Sequence, residues 1–158
     1  MSLPAMYAAC FGLSIVSALL PWINGEVLIL SFSAFAHSPA QRIILALLAS
    51  SGQMAGKCVL YWAGRGVIPI GSGRIGRIVD SCKGRFERSS FNPMWVVFIS
   101  AVSGIPPFYA ITVLAGAFRL RFLSFITIGA CGRLLHFGLL ALVPQFFPQF
   151  SRYFGNIQ

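Results

Sequence analysis

Acidic side chains are nearly missing from this sequence: Glu26, Asp80 and Glu87 are the three among 158 residues. Charged residues of either sign make up only 9%, against about 25% in soluble domains, too few to clothe a water-facing surface. No basic residue precedes Arg42. The positive n-region of a secretory signal is therefore missing, and the apolar start is expected to stay in the fold. Cys10, Cys58, Cys82 and Cys131 show no CxxC spacing. They read as small buried hydrophobes, neither a disulfide framework nor a metal site. HExxH, GxSxG and paired carboxylates do not occur, so an intramembrane hydrolase would lack its groups and an enzyme is not expected. No motif calls for a cofactor.

What is present is apolar: 57% of residues are hydrophobic and the mean hydropathy is +0.81. Four apolar blocks follow one another, within a single membrane domain over 1–158. The first covers 1–36 and is broken at Pro21–Gly25. The second covers 43–64. The third covers 92–118 and is broken at Ser103–Pro107, where Gly104, Pro106 and Pro107 lie. The fourth begins at Phe122 and is expected to end close to Pro144, by residue 146.

Lengths separate two kinds of block. The second and fourth each hold about 22 residues, roughly 33 Å of helix, enough to cross a hydrocarbon core of about 30 Å. The pieces 26–36, 92–102 and 108–118 would each span only about 16 Å as helix. Two such pieces around a Gly/Pro turn read as a re-entrant hairpin, which survives where its turn is buried in protein or lines a cavity. The expected fold is an all-α membrane protein. It is an inverted repeat of re-entrant hairpin plus transmembrane helix, joined by a basic loop over 65–91. Interrupted apolar segments at matching places in two halves point to a transport site at mid-membrane.

Charge placement orients this scheme. Arg65, Arg74, Arg77, Lys83, Arg85, Arg88, Arg119 and Arg121 fall on one face, and Arg42 and Arg152 on the other. The positive-inside bias puts 65–91 in the cytoplasm of a cell (inner) membrane. A net charge of +9 would suggest nucleic acid in a soluble protein. Beside membrane helices it suits anionic headgroups instead, and no nucleic-acid partner is expected.

Depth selects the candidate site. Glu26 opens the second arm of the first hairpin, next to Asn24 and Gly25. Gln53 and Lys57 sit in the middle of the second block, and Arg133 and His136 in the middle of the fourth. An ionisable group at such depth costs several kcal/mol unless paired or hydrated, and so marks function or a buried ion pair. One acid faces two cations. Both second arms also present helix N-termini, which carry about half a positive charge and bind phosphate or carboxylate. A site for an anionic group is expected, with Glu26 as a proton-binding or salt-bridging residue.

Two other motifs carry less. Gly71-Ser72-Gly73-Arg74-Ile75-Gly76 matches GxGxxG, but no acidic residue follows Glu87 to bind a ribose, so it reads as a bend. Gly52 and Gly56 form a GxxxG that lets another helix approach. It is expected to serve packing within the chain first and a homo-oligomer face second.

Three stretches, in this order, resemble the DedA family, also called VTT or SNARE-associated Golgi proteins. Pro21-Trp22-Ile23-Asn24-Gly25-Glu26 resembles its Pro-x-x-x-Gly/Ser-Glu turn. Gly52 and Gly56 with Tyr61-Trp62-Ala63-Gly64-Arg65 resemble its G-x-x-x-G-D-x-x-x-Y-x-x-G-R segment. Ala115-Gly116-Ala117-Phe118-Arg119-Leu120 resembles its A-G-x-x-R-M. Length and the Ser17-Ala18 approach to the turn are most similar to the small YqaA-like branch. The resemblance spans about residues 13–137. It implies paired re-entrant hairpins and a role in moving lipid, as transport of undecaprenyl phosphate coupled to an ion gradient or as phospholipid scrambling. Glu26 and Arg119 carry over. The family's acid after the second glycine falls at Lys57, and its arginines at the second turn fall near Val102 and Phe108. The functional expectation is a transporter or scramblase of an anionic lipid. A non-transporting membrane scaffold is the alternative.

Overall fold

The computed structural model of this protein describes residues 3–20, 22–66 and 92–155, with side chains up to Val143. Pro21, the GxGxxG stretch and the basic loop from residue 67 to 91 lie outside the described residues. Among those described, the chain forms six α-helices and no strand. These are α1 (Leu3–Leu19), α2 (Gly25–Ala34), α3 (Pro39–Gly64), α4 (Pro93–Ser103), α5 (Phe108–Ala117) and α6 (Phe122–Gly155).

Local chemistry explains the boundaries. Asn24 caps α2, its Oδ1 accepting the Glu26 N–H at 2.8 Å. Ser38 caps α3 by accepting the Gln41 N–H at 3.2 Å, and Pro39 follows as the first helical residue, where a missing N–H costs nothing. Asn92 and Pro93 repeat this pattern at α4, with Met94 N–H donating at 3.0 Å. Gly104 ends α4 in a left-handed conformation, φ 74°, and donates to the Ser100 carbonyl at 2.9 Å, a cap glycine adopts without strain. Tip residues 104–107 then lead into α5, which has no side-chain cap. The Ile105–Pro106 peptide in this tip is cis.

Two boundaries differ from the sequence expectation. The helix of the second block, α3, starts at Pro39, four positions before Ile43, because the Ser38–Pro39 cap starts it within polar sequence that hydropathy does not count. The last helix continues through Pro144 and Pro148 to Gly155. A proline removes one hydrogen bond and bends a helix without having to end it. Two helical stretches, Pro39–Gly64 and Phe122–Val143, are long and apolar enough to cross a membrane, compatible with an all-α membrane protein.

The packing alternates between the two halves of the chain. The first arm of each hairpin lies on the long helix that follows it, α1 on α3 and α4 on α6. Each second arm lies on the long helix of the other half, α2 on α6 and α5 on α3. Glycines allow the close crossings. A Cβ at Gly52 would lie 2.6 Å from the Phe11 carbonyl oxygen, and one at Gly56 would lie 2.5 Å from the Ala18 Cβ. The GxxxG face is thus occupied by α1.

Leu45, Ala46 and Ala49 early in α3 share a core with Phe137 and Ala141 late in α6. Tyr61, late in α3, meets Phe122 and Phe125, early in α6, so the long helices run antiparallel. A second core gathers Met54, Tyr61, Phe108, Leu114 and Phe125. Between these two apolar clusters, near the middle of both long helices, lies a polar layer. The outward faces are apolar as well: Trp22 and Ile105, at the two hairpin tips, are each 77% exposed.

Candidate functional site

The polar layer encloses a cavity of about 250 Å³. Asn24, Gly25 and Glu26 enter it from the start of α2, Gln53 and Lys57 from α3, and Arg133 from α6. Gly104, Pro107, Phe108 and Tyr109 close it from the second tip and the start of α5. Both helices that begin at a hairpin tip, α2 and α5, therefore present their N-terminal ends to one space, where the partial positive charges of the two termini add. A larger groove of about 390 Å³ between α3 and α6 is apolar apart from Arg42 and brings no chemistry together.

The cations are deeply placed. Lys57 is 4% exposed and Arg133 9% exposed. Lys57 Nζ donates to the Ala18 carbonyl at 2.9 Å and lies 5.9 Å and 5.4 Å from the ring centroids of Phe108 and Tyr109. The Arg133 guanidinium lies 4.8 Å from the Phe108 centroid and 5.5 Å from that of Phe137. Aromatic faces stabilise a desolvated cation by about 2 kcal/mol, a partial offset for burial. The Arg133 Nε is buried without a hydrogen-bond partner.

Glu26 does not pair with either cation at salt-bridge distance. Its Oε1 lies 3.2 Å from His136 Nε2, with the carboxylate side chain 46% and the imidazole 12% exposed. His136 Nδ1 lies 2.6 Å from the Val102 carbonyl oxygen at the end of α4. Gln53 Nε2 donates to Ser17 Oγ at 2.7 Å, tying α3 to α1 below the first tip.

Of the residues singled out from sequence, Asn24, Glu26, Gln53, Lys57 and Arg133 share this cavity, and His136 joins it through Glu26. Gly25, Gly104 and Pro107 line it, whereas Pro106 serves the tip, its carbonyl accepting from Ser100 Oγ at 2.5 Å. Arg119 is not brought to the site. It follows the C-terminal end of α5 with φ 52°, exposed, while the cavity lies at that helix's N-terminal end, about 15 Å of helix away. Sequence reading missed Ser17, Phe108, Tyr109, Phe137 and the Val102 carbonyl. The Pro106-Pro107-Phe108-Tyr109 run held a signal, aromatic residues placed directly after a helix-starting proline.

No family model, no curated protein and no solved structure matches this chain.

Proposed function

We propose that this chain is a membrane-embedded transporter or scramblase of an anionic, phosphate-bearing lipid, acting at the cavity between the hairpin tips. The observation that carries this reading is the excess of buried positive charge. Lys57 and Arg133 are both deeply buried, yet Glu26, the one carboxylate among the described residues lining the cavity, contacts His136 instead. A buried cation without an anion costs several kcal/mol. Cation–π contacts and one carbonyl offset part of that cost, and an entering phosphate would offset the rest. The open Arg133 Nε and the N-termini of α2 and α5 supply donors for it.

In this reading α1–α2 and α4–α5 are re-entrant hairpins in an inverted repeat, their tips at mid-membrane. The chain lies in a cell membrane with 65–91 on the cytoplasmic side. The resemblance to the DedA family points to undecaprenyl phosphate or a phospholipid as the lipid class. Lys57 at the family's acidic position favours attraction of the anion over a carboxylate relay. Alternating access and passive flipping both use the same cavity.

Reconstitution tests this. Purified protein in vesicles should move a fluorescent anionic lipid, phosphatidylglycerol, between leaflets, read by dithionite quenching. Arg133→Ala and Lys57→Met should each slow that movement at least about tenfold, corresponding to ~1.4 kcal/mol of lost binding in the transition state. Unchanged rates in both variants would remove the cavity as the site. No movement of any lipid would favour the scaffold reading.

A further inference from the structure

The contact between His136 and Glu26 lacks a proton as it stands. A backbone carbonyl only accepts, so the 2.6 Å approach of His136 Nδ1 to the Val102 oxygen requires an Nδ1–H. In the neutral ring Nε2 is then a bare acceptor, and it faces the carboxylate Oε1, a second acceptor, at 3.2 Å. Nε2 is accordingly buried without a hydrogen-bond partner. One proton added at Nε2 turns this opposition into a charge-assisted hydrogen bond.

The Val102 carbonyl is available for a reason written in the chain. Its partner in a continued α4 would be the N–H four residues on, and that residue is Pro106, which has none. The Ile105 N–H, the other donor in reach along the chain, goes to Ser103 Oγ at 3.1 Å. Val102 therefore leaves an open acceptor at the end of the helix.

We infer that His136, Glu26 and the Val102 carbonyl form a proton-binding site that latches the two hairpins together. α6 carries the imidazole, α2 the carboxylate and α4 the carbonyl. Taking up one proton joins all three helices through hydrogen bonds, and losing it removes the bond between α2 and α6. Among the described residues, the other titratable groups of this cavity are Lys57 on α3, Arg133 on α6 and Tyr109 on α5. α4 contributes none over Pro93–Ser103, and α1 contributes only the Ser17 hydroxyl. Nε2, which faces the carboxylate Oε1 and has no hydrogen-bond partner, is the place for the proton. The site concerns the regulation of the proposed lipid path, but proton binding itself needs no lipid.

Imidazole 15N spectra of the full chain in lipid nanodiscs test the latch. His37→Gln, at an exposed position, leaves His136 as the only histidine. As the pH is lowered from 8, the ring should pass from protonated at Nδ1 alone to protonated at both nitrogens. A neutral ring protonated at Nε2, or an Nε2 that stays bare to the acid end, would overturn the proposal. In Glu26→Gln the carboxamide donates to bare Nε2 without any added proton, so the Nε2 resonance should report an accepted hydrogen bond at pH 8, which the unchanged carboxylate does not supply. Vesicles distinguish the two readings. If the imidazole behaves as stated and no lipid moves, the transport reading falls while the proton site stands. If lipid moves and the ring takes the other tautomer, the latch falls alone.

Discussion

Arg133 on α6 and Lys57 on α3 meet over one ring, that of Phe108, with 4.8 Å from guanidinium carbon to centroid and 5.9 Å from Nζ. Phe108 is buried at the start of α5 and also stacks on Phe125, with centroids 6.3 Å apart. A single aromatic side chain thus holds two like charges from different helices within one cavity. Phe108→Leu keeps the apolar volume roughly and removes the π-face from both cations. Its thermal unfolding in detergent should show a loss of about 2 kcal/mol or more, with Phe108→Tyr nearer the parent. Equal stability of Phe108→Leu and the parent would show that the rings do not support the cations.

Gly56 faces α1, where an added Cβ would press on Ala18, while Gly138 has nothing within 4 Å of that position. Gly56→Ala should therefore destabilise by about 1–3 kcal/mol through overpacking. Gly138→Ala should be neutral or stabilise by up to about 1 kcal/mol through helix propensity. Thermal scans read by size-exclusion chromatography would separate the two. A neutral Gly56→Ala would mean that α1 does not pack on this face.

Asn24 caps α2 through Oδ1, whereas α5 starts without any side-chain cap. Asn24→Ala should cost about 1 kcal/mol of stability and Asn24→Asp much less. If both variants behave alike, the cap is not what orients the α2 N-terminus toward the cavity.

Tip depth distinguishes a re-entrant hairpin from a pair of full crossings. A spin label at Ile105→Cys, with the native cysteines replaced by serine, should collide more readily with dissolved oxygen than with a water-soluble nickel chelate. The same holds for Trp22→Cys at the other tip. Greater access to the nickel chelate would place the tips in water and remove the half-membrane geometry.

Much of the helix plan was legible in the residues because breaks and caps are local. Asn24-Gly25, Ser38-Pro39, Asn92-Pro93 and Gly104 each state a boundary through their own backbone chemistry. Pro144 misled, since whether a proline ends a helix or only bends it depends on surroundings that its neighbours in sequence do not describe. The placement of Arg119 was not legible for a similar reason. Its place in a motif carries no information on which end of α5 faces the cavity.

The candidate site divides along the same line. Its ionisable members were visible in the chain, because a carboxylate or guanidinium in an apolar run is costly wherever it sits. Their partners were not. Glu26 had two cations to choose from by depth, and the structure turns it to His136 instead. The rings of Phe108, Tyr109 and Phe137 took the place of counter-ions for the cations.

Composition and spacing alone thus determined an all-helical chain with two long apolar helices, two broken segments and a surplus of positive charge at depth. The tertiary structure decided that each second arm crosses to the long helix of the other half, which brings the α2 and α5 N-termini to one cavity. The physical reason is that hydropathy and caps act along the chain. Partner choice depends on which glycine faces, carbonyls and rings the packing brings within a few ångströms.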